Sequence, residues 1–424
     1  MELVKISEGV NLCFHKTERF KTSVITVNLI CNLDKNASEK ALMTYLLART
    51  NRNFPSIISM NKKLASLYGA VIIPNIIKNG EAQVLSFSLV SVDDRFSLDG
   101  KKISDEGIKL LMDCIFTPDI TAEGFREENL QREKRLLIEQ IESEKDDRRI
   151  LALHRMTEEM CCDENYSINK LGNPETINTL GGKEIFEQWK KVLTTCPVQI
   201  NAVGDFDKAE ISKLIAPYFE RIQRKKEDIA EIRTEFITES YESKTVTEKL
   251  NVKQGKLVIG YRAAMTYDFD NYPAIRLMTA IFGGGTFSKL FMNVREKMSL
   301  CYYCAARLVA SKGIITVESG VETENAEKAL TAIRNELDEV RKGNFTDETV
   351  ENAKKSLADS FGSIEDSVMG IDGFMTSQCT SGQFRTPKEY CELINNVSRE
   401  EIILAANLIT EDTVYILQSE KEAE

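Results

Sequence analysis

The residues best suited to chemistry in this sequence are an arginine and a tyrosine seven positions apart, Arg295 and Tyr302. Three consecutive glycines at 283–285 precede them, where the backbone can turn sharply or lie close to a neighbour. Apolar residues then recur three and four apart, which predicts a helix that ends near Ser299 and leads into a strand beginning at Tyr302. A guanidinium and a phenol placed this way can both donate hydrogen bonds into one groove. Both would suit a carbonyl that is gaining negative charge.

The same two residues have a purely structural interpretation. An arginine near a helix end can bond the last helical carbonyls, and a tyrosine at the start of a strand is often part of the core. Taken by themselves, Arg295 and Tyr302 favour this second interpretation.

Three other patterns do not form a catalytic set. The glycine run with Ser288 and Lys289 lacks the residue order of a phosphate loop. Cys301 and Cys304 have the spacing of a redox or half-zinc motif, but residues three apart in a strand face opposite sides, so we interpret them as packing residues. His154 lies on a charged helix, and we interpret it as a surface or hydrogen-bonded histidine.

Composition excludes several classes of protein. A chain of 424 residues exceeds one hydrophobic core and predicts two or more domains. The net charge of −11 argues against a nucleic-acid surface, which needs clustered lysine and arginine. No apolar run is long enough for a membrane span, and the N-terminus lacks a signal-peptide core. Ten cysteines without a small-scaffold spacing indicate free thiols, so we expect a cytoplasmic protein.

The predicted elements repeat one α+β plan, a sheet covered by helices, in two halves of the chain. The first half covers residues 1–220, and the second covers residues 246–424. Residues 221–245 are charged and poor in large apolar groups, which is typical of a linker between domains. Residues 125–160 read as an almost unbroken charged helix, and Asn79-Gly80 is a strong hairpin signal. A short similarity between residues 59–68 and 291–302 indicates an internal duplication.

The stretch from Gly283 to Tyr303 carries a family resemblance. Its pattern, GGG-x-x-SKLF-x-NVREK-x-SL-x-YY, resembles the C-terminal half of the M16 (pitrilysin/insulinase) metallopeptidases, and weaker matches extend over most of the chain. The resemblance implies two homologous M16-type α/β-sandwich domains that form half of a clamshell. It also implies that Arg295 and Tyr302 bind substrate beside a zinc ion. The sequence is particularly similar to the peptidase-like members linked to 5-aminopentanol modification of elongation factor P.

The zinc ligands of that family are missing from this chain. M16 peptidases bind zinc through His-x-x-Glu-His on the first helix of the N-terminal half. The corresponding slots here are Ala41, Thr44 and Tyr45, and the only two histidines in the sequence, His15 and His154, are far apart.

A distant glutamate completes the zinc site in the family. Here Glu133 fits the slot of a supporting glutamate, whereas Gln140 occupies the slot of the zinc ligand itself. Catalytic zinc needs about three protein ligands and an open position. We therefore predict that this chain holds no metal and needs no cofactor of its own.

The resemblance implies a function that is divided between two chains. In two-subunit M16 enzymes one chain carries zinc while the other supplies the arginine and tyrosine, and this sequence has only the second set. We therefore expect a catalytically incomplete subunit that pairs with a zinc-bearing homologue and supplies Arg295 and Tyr302 for peptide hydrolysis. The alternative is a non-enzymatic peptide-binding or scaffold protein, with a link to elongation factor P modification. The sequence leaves open whether the chain forms a heterodimer or a homodimer.

Overall fold

Two β-sheets, each covered by helices, organise the chain, and the predicted α+β class is confirmed. The computed structural model describes residues 1–222, 224–240, 242–265, 270–381 and 384–420. Gln223 and Tyr241 of the predicted linker lie outside the described residues. In the described part of the chain, no helix combines the length and apolarity that crossing a bilayer would require.

The strands form one six-stranded sheet, one five-stranded sheet and one short ribbon. In chain order they are β1 (Glu2–Ser7), β2 (Val10–Lys16), β3 (Thr22–Asn32), β4 (Val71–Asn79), β5 (Ala82–Val92), β6 (Ile120–Thr121), β7 (Gly124–Phe125), β8 (Val198–Gly204), β9 (Lys244–Leu250), β10 (Gly255–Arg262), β11 (Cys301–Val309), β12 (Ile314–Val321) and β13 (Thr410–Ser419).

Most of the remaining described chain is helical. The α-helices are α1 (Ala37–Arg49), α2 (Ile57–Ser66), α3 (Ile103–Phe116), α4 (Glu127–Asp146), α5 (Arg148–Met160), α6 (Pro174–Thr179), α7 (Gly182–Thr195), α8 (Lys208–Glu220), α9 (Tyr272–Gly283), α10 (Ala326–Arg341), α11 (Asp347–Gly362), α12 (Val368–Ser377), α13 (Pro387–Asn395) and α14 (Arg399–Asn407). A π-helix covers Leu290–Lys297, and 3-10 turns cover Asp94–Phe96, Asn165–Ser167, Lys226–Asp228, Thr323–Asn325 and Ser363–Asp366.

Five strands of the first sheet have the same connectivity as the five strands of the second. The first sheet has the order β1-β2-β8-β3-β5-β4, and the second has the order β9-β13-β10-β12-β11. Each sheet has one parallel pair, β2 with β8 in the first and β9 with β13 in the second, at the end of the five shared strands, and the other pairs are antiparallel. This repeated topology agrees with the duplication indicated by the sequence.

Two compact units are built from these sheets, and each is discontinuous in sequence. The first unit contains residues 1–142, 168–233 and 364–384, and the second contains residues 143–167, 234–363 and 385–424. Helix α5 of the first half therefore packs in the second unit, against β10 and β13, and helix α12 of the second half packs in the first unit, against β3 and β8. The limits expected for the two family domains, 1–220 and 246–424, stay a prediction.

The helix predicted over residues 125–160 is interrupted at Asp147. The backbone of Asp147 is extended, and the Asp147 Oδ1 atom accepts hydrogen bonds from the amides of Arg149 and Ile150 at 2.9 and 3.2 Å. Asp147 thus caps α5, because a short acidic side chain at this position satisfies the free amides of a new helix. Sequence periodicity did not reveal the break, since both helices are charged throughout.

Helix α5 lies very close to β10. A side chain at Gly260 would meet the sulfur of Met160 at 2.5 Å and that of Met156 at 2.7 Å. A side chain at Gly260 would therefore require both methionine side chains to move where the helix crosses the strand.

Buried ion pairs hold the segment after α5 in place. Arg262 on β10 donates to Glu164 and to the carbonyl of Met160, both at 2.8 Å, and to Asp412 at 2.9 Å. Lys312 approaches the other oxygen of Glu164 at 2.6 Å. The Lys312 side chain is completely buried, and those of Arg262 and Glu164 are 3% exposed.

Helix α12 is bound to the first sheet through a buried polar cluster. Asp372 accepts hydrogen bonds from Thr26 Oγ1 and Asn201 Nδ2, both at 2.9 Å. The hydroxyl of Thr376 accepts from Asn28 and Asn201 at 3.2 and 2.8 Å. Burial raises the pKa of Asp372 above its usual value, although the hydrogen bonds from Asn201 and Thr26 oppose this rise.

Replacing Asp372 with asparagine should stabilise the protein at pH 7–8. Because the folded pKa is raised, the Asp372 carboxyl makes its full contribution to the free energy of unfolding only below its unfolded pKa near 3.8. This contribution is lost as pH rises through the folded pKa. The introduced amide can accept from Asn201 and donate to Thr26, whose single hydroxyl proton can then bond Ser88, 2.8 Å away. We expect a gain of about 0.5–2 kcal/mol, the usual range for a stabilising substitution. Urea unfolding at pH 8 and pH 4 measures it.

The control is Asp366→Asn, an exposed position in the same unit. The gain at Asp372 should shrink toward pH 4, because the raised pKa lets the wild-type carboxyl take up its proton at a higher pH in the folded protein than in the unfolded chain. A loss of stability at pH 8 relative to Asp366→Asn would contradict the expected cost of the buried charge.

Candidate functional site

Arg295 lies in a π-helix rather than in the α-helix that the sequence predicts. The helix covers Leu290–Lys297, and the amide of Met298 donates to the carbonyl of Asn293, five residues back, at 2.9 Å. Ser299 then adopts a left-handed φ of 52°, uncommon outside glycine, and turns the chain into β11. Turns of π-helix occur often at functional sites.

The glycine run brings the end of α9 against β11. A side chain at Gly283 would meet the backbone nitrogen of Ala306 at 2.5 Å, a distance that no side chain tolerates. The close backbone approach predicted for this run is therefore confirmed at Gly283.

Arg295 and Tyr302 are in direct contact. Arg295 Nε donates to the backbone carbonyl of Tyr302 at 2.9 Å. Its guanidinium carbon lies 4.6 Å from the ring centre of Phe291, and Nη1 pairs with Glu296 at 2.9 Å. These three contacts fix the position of the guanidinium. Nε and Nη1 account for two of its five N–H donors in these contacts.

Tyr302 is not a core residue, because 59% of it is exposed. The core interpretation of this tyrosine is therefore wrong. Its hydroxyl donates to Glu322 Oε1 at 2.5 Å, and this hydrogen bond raises the pKa of Tyr302.

Glu322 is a residue of the site that sequence reasoning missed. It follows the last residue of β12, Val321, which pairs with Cys301 at the start of β11. Local sequence patterns do not show this position, because it depends on how β12 pairs with β11. The pairing of Cys301 with Val321 is what places Glu322 beside the start of β11.

Cys301 and Cys304 lie on the same face of β11, so the prediction that they face opposite sides is wrong. A β-bulge shifts the register, and Cys301 pairs with Val321 while Cys304 pairs with Ser319. Val321 and Ser319 are two apart on β12 and share one face, so their partners share it too. A hydrogen bond from Cys304 lowers the pKa of Cys301 against the effect of burial, and the charge of Arg295 adds to this lowering.

The slots predicted for zinc ligands lie on α1 and α4. Ala41 and Thr44 are fully buried, and the Thr44 hydroxyl donates to the carbonyl of Lys40 at 2.8 Å. The Tyr45 hydroxyl donates to Gln140 Oε1 at 3.1 Å. The structure therefore brings two of the slots together, but a methyl group, a helix-bonded hydroxyl and a phenol–amide pair do not fit zinc.

Glu133, the supporting glutamate, also has partners other than a metal. It is 1% exposed and accepts from Arg132 Nε at 3.0 Å, and Arg49 of α1 lies 3.5 Å away. Across the described ranges, no group of three or more histidine, cysteine or acidic side chains is arranged to hold a metal ion.

The fold and this site together define a class of protein. The chain has a duplicated sheet-and-helix plan, a half-buried arginine in contact with an exposed tyrosine after α9, and residues unsuited to zinc on α1 and α4. This is a two-unit, peptidase-like protein without the metal ligands of a zinc peptidase. The family described as "Peptidase M16 inactive domain" matches residues 184–357, and the chain is similar to M16 peptidases.

Individual relatives match over the full length. A Bacillus subtilis protein named "Probable inactive metalloprotease YmfF" is 29% identical over 424 residues, which cover 100% of this chain and 99% of the relative. The crystal structure of a conserved protein from Enterococcus faecalis has a TM-score of 0.88 at 27% identity, with 100% and 99% of the two chains covered. A structure titled as a peptidase M16 inactive domain from Pseudomonas fluorescens has a TM-score of 0.81 at 17% identity, again over 100% and 99%, and shows the shared fold.

Proposed function

We propose that this chain is the non-catalytic subunit of a two-chain zinc peptidase. It pairs with a separate M16 homologue that carries His-x-x-Glu-His and the zinc ion, and it supplies Arg295 and Tyr302. The proposal rests on a difference between the two halves of the chain: the second half keeps the arginine–tyrosine pair, and the first half lacks the zinc ligands. The half-buried Arg295 and the exposed Tyr302 are in contact, whereas the slots for zinc ligands hold Ala41, Thr44 and Tyr45.

The two residues have different roles in this proposal. Arg295, held by Phe291 and the carbonyl of Tyr302, binds a backbone carbonyl of the substrate peptide with its remaining N–H donors. The Tyr302 hydroxyl leaves Glu322 and donates to the oxygen that becomes negative in the transition state. The zinc ion of the partner would polarise the same carbonyl and activate the attacking water. The free thiols favour a cytoplasmic complex.

Co-expression with the zinc-bearing homologue from the same genome tests the proposal. The two chains should purify together and hydrolyse a fluorogenic peptide, and a chelator should abolish the hydrolysis. This chain alone should be inactive. Chelator-sensitive cleavage by this chain alone, with one bound Zn²⁺ per chain, would overturn the proposal, and so would failure of the two chains to associate.

A non-enzymatic peptide-binding or scaffold role is the second candidate. It is favoured by one contact, because the Tyr302 hydroxyl is already donated to Glu322. A scaffold would form the complex and bind peptide without increasing hydrolysis. The link to elongation factor P modification belongs to this candidate, and capture of the modification enzymes by the purified chain would support it.

A further inference from the structure

Two cysteines that are far apart in the sequence meet in the first unit. Cys31 lies near the end of β3, and Cys196 follows α7, shortly before β8 begins. The antiparallel pairing of β3 with β8 continues beyond the ladder, because the amide of Ile30 donates to the carbonyl of Pro197 at 2.9 Å. The next pair in this register is Cys31 with Cys196, so the two side chains lie opposite each other on one face of the sheet.

The geometry of this pair suits a covalent bond. The two sulfur atoms lie 3.0 Å apart, about 1 Å more than the length of a disulfide bond. Ile30 and Pro197 occupy a hydrogen-bonded position, so Cys31 and Cys196 occupy the adjacent non-hydrogen-bonded position, where Cα atoms are about 4.5 Å apart. This spacing falls within the range of about 4.4–6.8 Å that disulfides span. A disulfide can therefore form here with little movement of either strand.

Two cations lie close to Cys196. The Arg224 guanidinium donates to the backbone carbonyl of Cys196, and the Lys40 side chain is 2% exposed. A hydrogen bond with Cys31 lowers the pKa of Cys196 against the effect of burial, and the charges of Lys40 and Arg224 add to this lowering. The same hydrogen bond raises the pKa of Cys31, and burial adds to the rise. Cys196 is therefore the thiol of the pair that ionises first and reacts first.

We propose that Cys31 and Cys196 are a redox-active pair that hydrogen peroxide converts into a disulfide. The Cys196 thiolate attacks one peroxide oxygen and becomes a sulfenic acid, while the O–O bond breaks and the other oxygen leaves as hydroxide. This hydroxide takes up the proton that Cys196 released and becomes water. The Cys31 thiol then attacks the sulfenic sulfur, an S–S bond replaces the S–O bond, and a second water leaves with the Cys31 proton. The two sulfurs lose two electrons, which reduce the peroxide.

The bond is reversible and acts on the first unit. A cellular dithiol reduces it by thiol–disulfide exchange, and transient disulfides of this kind occur in reducing compartments. The bond closes the long loop between residues 31 and 196, which restricts the unfolded chain, so oxidation should stabilise the first unit. The proposal does not depend on the peptidase-subunit function, since both cysteines belong to the first unit and Arg295 and Tyr302 to the second.

Peptide mapping of the full chain after treatment with hydrogen peroxide tests the proposal. The protein is unfolded in the presence of an alkylating reagent, which blocks the free thiols, and is then digested. We expect a linked pair of peptides that joins Cys31 to Cys196, with the loss of these two free thiols, and we expect dithiothreitol to restore both. Cys31→Ser should stop the reaction at the Cys196 sulfenic acid, which dimedone traps. The oxidised wild type should unfold at a higher urea concentration than the reduced protein.

Cys114→Ser is the matched control. Cys114 is another buried thiol of the first unit, and burial raises the pKa of Cys114 to about 12. This substitution should leave the link between Cys31 and Cys196 unchanged.

Three outcomes in the wild-type protein would overturn the proposal. The first is oxidation of the exposed Cys162 while Cys31 and Cys196 stay free. The second is a link from either cysteine of the pair to a different cysteine in place of its partner. The third is a fall in the urea midpoint when the link between Cys31 and Cys196 is complete. None of these outcomes depends on whether Cys31→Ser folds.

Discussion

Replacing Tyr302 with phenylalanine should lower the turnover of the two-chain complex by about 10²–10³-fold, the typical effect of removing one oxyanion donor. The ring is retained, and Arg295 binds the backbone carbonyl of residue 302, so its position should not change. Because the proposed role has the hydroxyl act on charge that develops in the transition state, kcat should fall while KM stays nearly constant. Steady-state hydrolysis of a fluorogenic peptide by the purified complex measures both constants.

Tyr303 provides the matched control for this substitution. It is the next residue of β11, and its ring lies against the cations of Arg149 and Lys256. Tyr303→Phe should leave turnover unchanged, and Glu322→Gln should leave it unchanged or raise it, because the competing acceptor for the Tyr302 hydroxyl becomes weaker. Equal turnover for Tyr302→Phe and Tyr303→Phe would remove Tyr302 from the proposed role.

The Glu164→Gln variant should lose about 3–5 kcal/mol of unfolding free energy, because it leaves buried cations without their counter-charge. Lys312 and Arg262 both direct their charge at this carboxylate. Such a loss is a large part of a typical protein's total stability of about 5–15 kcal/mol. Burial alone would raise the pKa of Glu164, but the hydrogen bonds from Arg262 and Lys312 outweigh burial and lower it.

The lowered pKa fixes the pH dependence of this loss. The carboxylate contributes fully above its unfolded pKa near 4.5, and the contribution disappears as pH falls through the lower folded pKa. The difference in unfolding free energy between wild type and Glu164→Gln should therefore be largest at pH 7 and should decrease in acid. Urea unfolding followed by circular dichroism at pH 7 and pH 4 measures it.

Glu159→Gln is the control for Glu164→Gln. Glu159 precedes it by five residues and forms an exposed pair with Lys244 at 3.2 Å, so its loss should cost less than about 1 kcal/mol. Adding Lys312→Met to Glu164→Gln should recover part of the loss, since the unpaired cation is removed as well. The ion-pair explanation fails if Glu164→Gln and Glu159→Gln unfold at the same urea concentration.

Local patterns were sufficient to predict much of the fold. The hairpin signal at Asn79-Gly80 is confirmed, since β4 ends at Asn79 and β5 begins at Ala82. The apolar spacing after the glycine run correctly predicts a helix and then a strand, because both depend on neighbours in sequence. The helix type was not predictable, because the same residues can form either helix. The two types differ in whether the backbone hydrogen bonds reach five or four residues back.

Features that depend on pairing between distant residues were not predicted. The bulge in β11 lies where Tyr303 packs against Gly320, whose added side chain would meet the Tyr303 ring at 2.5 Å. The bulge in the pairing of β11 with β12 places Cys301 and Cys304 on one face. By contrast, the contact between Tyr45 and Gln140, 95 positions apart, was anticipated through the family resemblance, which places both residues in slots of one zinc site. The roles assigned to Arg295 and Tyr302 stay predictions.

The placement of α5 and α12 limits whether this chain could be cut into two fragments that fold independently. Each half of the sequence donates one helix to the unit built around the other half's sheet. A break in the backbone between residues 221 and 245 would leave two fragments, and each would lack a helix that its own sheet packs against. Neither fragment would be an autonomous folding module, so the halves could regain native structure only by complementing each other in trans.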